Sequence, residues 1–178
     1  EAAKSLSTRF RPNAGVIQSW DADKGWQGTR GWKCPVIIDN MMNLELLYFA
    51  SKVTGDTRYA KIATTHAETT AKNQLREDYS NYHVVDYDTL TGKVLHQATC
   101  QGFSDNSAWA RGQAWAIYGY TMMARETGSP EYLAQAKHIA RFLMNHPNMP
   151  ADKIPYWDFD APNIPNAPRD ASAAAIMA

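Results

Sequence analysis

Two stretches of the chain repeat one pattern of apolar and polar positions. From Asp39 it reads Asp-Asn-Met-Met-Asn-Leu-Glu-Leu-Leu-Tyr-Phe-Ala-Ser-Lys-Val53, with Met42, Leu46, Phe49 and Val53 recurring at helical spacing. Thr54-Gly55 ends this helix, because Gly suits a helix C-terminus. Asp56 is a good N-cap for a second helix, predicted from about Thr57 to Lys72. Its inner stripe is Tyr59, Ile62, Ala63 and His66. A third helix is predicted from about Ser107 to Thr127-Gly128. Ser129-Pro130 then opens a fourth, with Pro at its first position, running to about Asn145. Thr54, Gly55 and Tyr59 map onto Thr127, Gly128 and Tyr132 at one offset. The unit is therefore a helical hairpin with a Thr-Gly turn, used twice. Such a hairpin buries its face only by stacking on neighbours, so a solenoid or a closed αα-toroid is expected.

Between the repeats, Asn81 to Asp88, Thr91-Gly92 and Lys93 to His96 alternate around a turn and predict a short β-hairpin. The segment from His146 to Arg169 holds six prolines and is predicted as a long irregular loop, ordered by Tyr156-Trp-Asp-Phe. Asp170 to Ala178 reads as a new short helix, and Glu1-Ala-Ala-Lys as the tail of one. Length leads us to expect a single domain, residues 1–178, and these ends that it is an incomplete portion of a larger protein.

Composition narrows the function. Lys+Arg and Asp+Glu both total 18 in 178 residues, which gives no electrostatic reason to bind nucleic acid or an anionic membrane. No apolar run approaches the roughly 18 residues of a spanning helix. Cys34 and Cys100 read as two reduced, buried thiols rather than a disulfide. No Cys, His or carboxylate spacing supports metal ligation.

The six Trp and nine Tyr are an enrichment. Gly102 to Trp115 sets Trp109, Arg111 and Trp115 at a helix start. A planar guanidinium suits a carboxylate, and an indole suits the C–H face of a sugar, so the trio points to an acidic carbohydrate. The repeat offset carries Asp39 to Gly112, beside Arg111, and so places Asp39 and Arg111 on one rim. The hairpin returns His83 to that rim. Asp39, His83, Gln101, Trp109, Arg111 and Trp115 would then make an acid–base site. Plainer roles compete. Asp39 reads equally as a helix N-cap, and His83 by default as a structural His. Ser104 and Asp105 read as caps of the Trp109 helix, and His66 and His138 as packing or surface residues. Trp20, Trp26 and Trp32, in a Gly/Asp/Lys-rich loop, line a cleft or anchor the loop.

Ile37-Ile-Asp-Asn-Met-Met-Asn-Leu44, Tyr82-His83, Ser104 to Trp115, Tyr156-Trp-Asp-Phe and Arg169-Asp-Ala-Ser-Ala-Ala-Ala175 resemble, in order, the unsaturated glucuronyl hydrolases of glycoside hydrolase family 88. The resemblance implies an all-α fold, part of an (α/α)6 barrel, decorated by the β-hairpin and the Pro-rich loop. It implies hydrolysis of unsaturated uronic acid oligosaccharides by hydration of the C4=C5 vinyl ether, without a cofactor. Asp39 matches the general acid/base, and His83, Gln101, Trp109, Arg111, Trp115 and Trp20 match substrate-binding positions. The family has a second Asp in an upstream His-Asp context, which nothing before Asp39 supplies, and about twice this length; this chain alone is expected to be inactive. Two further readings remain: an unsaturated rhamnogalacturonyl hydrolase, and a non-catalytic αα-repeat that binds carbohydrate or protein.

Overall fold

The structure, a computed structural model, describes residues 1–23 and 25–178, with the side chains of 25–27 outside the description. The Trp26 ring therefore lies outside the described residues. A short helix α1 (Ala2–Ser7) precedes a two-stranded ribbon, β1 (Phe10–Arg11) and β2 (Val16–Ile17). A 3-10 segment (Gly25–Arg30) leads to β3 (Pro35–Ile37) and directly into a 3-10 turn, Ile38–Asn43. The first hairpin is α2 (Leu44–Thr54) and α3 (Thr57–Asn73); the second is α4 (Ala110–Thr127) and α5 (Pro130–Asn145). Between them lie β4 (Val84–Tyr87) and β5 (Val94–Ala98), and α6 (Ala171–Met177) closes the series.

The local signals act as the residue types require. Gly55 and Gly128 hold left-handed φ values of 74° and 70° at the two helix ends, where a Cβ would be strained. Asp56 accepts from the Arg58 N–H, and Ser129 from that of Tyr132, so both hairpins open their second helix with a side-chain cap.

Helix α4 is the axis of the packing, contacting α5, α6 and the Ile38–Asn43 turn. The core it organises includes Met41, Leu44, Leu47, Tyr120, Met123, Ile139 and Phe159. In α3, Ala63 and His66 are buried, and Tyr59 and Ile62 pack on the core margin. His66 accepts the Ile17 N–H at 3.0 Å through Nδ1, and burial pushes its pKa down to about 4. His138 stacks on Tyr79 at 4.3 Å. Neither cysteine forms a disulfide; Cys34 is buried, but Cys100 is only half-buried.

Four features depart from the sequence reading. The apolar stripe Met42, Leu46, Phe49 and Val53 is exposed, Phe49 at 62% and Val53 at 67%. Helix α2 is apolar on two faces, and Leu44, Leu47 and Tyr48 take the one that meets the core. Second, the hairpin is one edge of a three-stranded antiparallel sheet, β3-β4-β5, and β3 was too short to read. Third, the Trp109 helix begins at Ala110, because the chain before it pairs with the Trp157–Phe159 segment: the Phe159 N–H donates to the Ala108 carbonyl and the Ala110 N–H to the Trp157 carbonyl. Fourth, Ser104 and Asp105 cap no helix. Asp105 accepts the Thr99 N–H at 2.8 Å, and the Ser104 N–H donates to Ser107 Oγ.

The Pro-rich segment is a clamp. Asp158, fully buried, accepts from the Phe103 N–H and the Ser107 hydroxyl through one oxygen and from the Asp160 N–H through the other. Asp160 accepts the Ala108 N–H. The loop that carries Trp109 is thus fixed from outside.

Candidate active site

Asp39 stands in the first turn of the Ile38–Asn43 segment, immediately after β3. Ile37 occupies the cap position, and Asn43 precedes α2 without a side-chain cap, so Asp39 is not the N-cap of the following helix. Strand pairing fixes what faces it. The Ile38 N–H donates to the His83 carbonyl at 3.0 Å, which brings the residue before β4 alongside Asp39. Gln74 reinforces that join by donating to the Val36 and His83 carbonyls.

His83 has a defined tautomer. Its Nδ1 accepts the backbone N–H groups of Cys100 (3.1 Å) and Gln101 (3.2 Å), so the proton of the neutral ring sits on Nε2. That atom points at Asp39 Oδ2, 3.8 Å away, just beyond hydrogen-bond range. Burial, with help from the Arg111 and Arg30 charges, pushes the His83 pKa down to about 3. The pair is therefore no salt bridge at neutral pH; it is a neutral imidazole donor facing a carboxyl. Among the described residues, neither His83 Nε2 nor Asp39 Oδ2 has a hydrogen-bond partner, although both are buried. The two atoms face one another across a gap too long for a direct hydrogen bond, so each keeps its capacity to bond a third polar group.

The Asp39 carboxyl is 15% exposed. Burial raises its pKa to about 6, against the opposing effects of its own backbone N–H, the Arg111 charge and a hydrogen bond with Trp115. A carboxyl poised near 6 can both give and take a proton at neutral pH.

Helix α4 supplies the other wall. The Trp109 ring lies 4.4 Å from His83, and the Arg111 guanidinium lies over Trp109 at 4.9 Å. Buried Gln113 and Asn81 bond one another reciprocally: the Asn81 N–H and side-chain amide donate to Gln113 Oε1, and Gln113 donates to the Asn81 carbonyl. This pair locks the His83 segment to the first turn of α4. Trp115, edge-on to Tyr118, borders a depression of about 640 Å³ lined also by Met42, Asn43, Ala175 and Ile176.

The structure thus gathers Asp39, His83, Trp109, Arg111 and Trp115. Gln101 joins through its backbone N–H, with its side chain exposed. Trp20 does not join by contact. Its ring packs on Trp32 at 6.3 Å, with Arg30 over Trp32, and Ser19 ties this segment to β3 through the Ile37 N–H. One participant escaped the sequence reading. Asp170 accepts from Arg111 Nη1 at 3.2 Å. Its only legible signal was its place before an Ala-rich helix, which reads as a cap.

No protein-family model matches the chain. A curated unsaturated glucuronyl hydrolase from Formosa agariphila is 56% identical over 177 residues, 99% of this chain and 43% of that protein. The chain belongs to the unsaturated glucuronyl hydrolase family. A second member of the family, from a Bacillus species, is 40% identical over all of this chain and 46% of its own length. A crystal structure of an unsaturated glucuronyl hydrolase specific for heparin superposes with a TM-score of 0.91 at 55% identity, over 98% of this chain and 45% of that one. The fold described above is thus the family's fold over this span. The chain spans less than half the length of the relatives it matches.

Proposed function

We propose that the protein carrying these residues hydrolyses oligosaccharides that end in a C4=C5 unsaturated uronic acid, with Asp39 as general acid and base. The observation that carries the reading is the buried, partnerless face shared by Asp39 Oδ2 and His83 Nε2, in reach of the Arg111 charge. Protonated Asp39 delivers its proton to C4, and positive charge develops at C5, shared with the ring oxygen. Water adds to C5 and returns a proton to the Asp39 carboxylate. The C5 hemiketal opens to a ketone, which leaves a hemiacetal at C1; this collapses to an aldehyde and releases the next sugar. One carboxyl that cycles between both states suffices, in contrast to the two flanking carboxyls of ordinary glycosidases. Neutral His83 donates through Nε2 to a substrate or water oxygen. Arg111 receives the uronate carboxylate, Trp115 and, from the neighbouring segment, Trp20 offer ring faces, buried Trp109 backs His83 and Arg111, and Gln101 contacts sugar hydroxyls.

We further infer that residues 1–178 are one domain and form an arc of an (α/α)6 barrel. The two α-hairpins, the exposed stripe Met42, Leu46, Phe49 and Val53, and the fraction of each relative that the chain spans support this. The names of the relatives, glucuronyl rather than rhamnogalacturonyl, favour the first substrate class.

The test is to incubate the complete polypeptide that contains this chain with an unsaturated uronyl disaccharide. The ultraviolet absorbance of the double bond should fall; unchanged absorbance would sink the reading. Arg111→Met should lower kcat/KM by about a hundredfold, mainly through KM, because a charge-assisted contact to the carboxylate is lost. A change of less than threefold would remove Arg111 from the site.

A further inference from the structure

Asp170 is tied down at every polar group. Its backbone N–H donates to the Pro155 carbonyl at 2.8 Å, and Oδ1 accepts the Ala173 N–H at 2.8 Å to cap α6. Oδ2 is left for Arg111, at 3.2 Å. The carboxyl is 8% exposed. Arg111 is thereby held between a fixed carboxylate on α6 and the Trp109 face on α4. Among the described residues, the groups that act on or face Asp39 are Arg111 and Trp115 from α4 and His83, the residue before β4. Among these described groups Arg111 carries the charge at neutral pH, because His83 is neutral there. Arg111 is therefore paired with Asp170 while its charge also acts on Asp39.

We propose that Asp170 is a positioning residue for the reaction, whose ion pair holds the Arg111 guanidinium off Asp39 so that Asp39 can carry the proton it must transfer. This rests on the reading of Asp39 as the general acid. With the Asp170 charge removed, Arg111 loses its fixed partner and turns to the remaining carboxylate, which favours ionised Asp39.

The experiment follows kcat/KM against pH in the complete polypeptide, together with the Asp39 carboxyl titration by carbon NMR, for Asp170→Asn. Asparagine keeps an oxygen to cap α6; Asp170→Ser, also a good N-cap, repeats the test if the amide misfolds. The upper pH limb and the carboxyl midpoint should both fall by about one unit, with about tenfold less activity at pH 7 and little change at low pH. Asp170→Glu should restore the limb. In an Arg111→Gln background, Asp170→Asn should no longer move the midpoint by that amount. A uniform loss of rate with an unmoved midpoint would reduce Asp170 to a helix cap, and a full shift persisting without Arg111 would overturn its action through Arg111. If the wild type does not turn over the disaccharide, the functional reading fails, yet the carbon titration still decides whether Asp170 controls Asp39.

Discussion

Asp39→Asn is expected to lose hydrolysis by about a thousandfold or more and, at pH 8, to gain about 2 kcal/mol of stability. The first effect follows from removing the group that both gives and takes the proton. The second follows from burial. The folded-state pKa of about 6 lies above the ordinary 3.8, so ionising this carboxyl opposes folding. Below pH 3.8 the group is protonated folded or unfolded, and the native state bears no penalty. As pH rises through 6, that relative stability is lost. Asparagine never ionises, so its advantage should be nearly absent at about pH 3 and complete by about pH 8. Thermal unfolding of both proteins at the two pH values reads this directly. Equal destabilisation at both would mean that the carboxyl is an ordinary structural group.

Gly119→Ala is expected to destabilise the fold by about 2 kcal/mol and to lower activity at least tenfold, although Gly119 lies inside a helix where Ala has the better propensity. A Cβ there would meet Met41 Cβ at 2.4 Å, and Met41 Cε and Cγ at 2.9 and 3.1 Å. The flexible end of Met41 can turn aside; its Cβ cannot. Helix α4 must then separate from the turn two residues beyond Asp39, which shifts Asp39 relative to Arg111 and Trp115. The propensity gain of about 1 kcal/mol is the smaller effect. Urea unfolding and kcat/KM measured together decide the matter. A neutral or stabilised variant with normal activity would show that the α4 contact does not set the site.

The sequence made some of this legible and hid the rest for physical reasons. Both helical hairpins could be read because turn, cap and apolar period agree locally: Gly55 and Gly128 end helices, while Asp56 and Ser129 begin them. The proximity of Asp39 and Arg111 was legible because a repeat offset is a geometric statement. What failed was anything that depends on distant partners. Asp105 resembles a cap but serves Thr99, and Asp170 resembles a cap and is one, while its second oxygen reaches Arg111. Strand β3 has three residues, below the length at which alternation can be seen. The stripe from Met42 to Val53 has the period of a core face, but periodicity does not say which face of a helix with two apolar sides meets this chain's own core.

The central claim is hydration of the double bond, with glycosidic cleavage as its consequence. Proton NMR during turnover of an unsaturated uronyl disaccharide tests it most directly. The vinylic H4 signal of the bound-chain sugar should vanish no later than the released partner sugar appears, and Asp39→Asn should show neither change. Release of the partner sugar while free unsaturated uronate accumulates would contradict the account, because it would place the attack at the anomeric carbon.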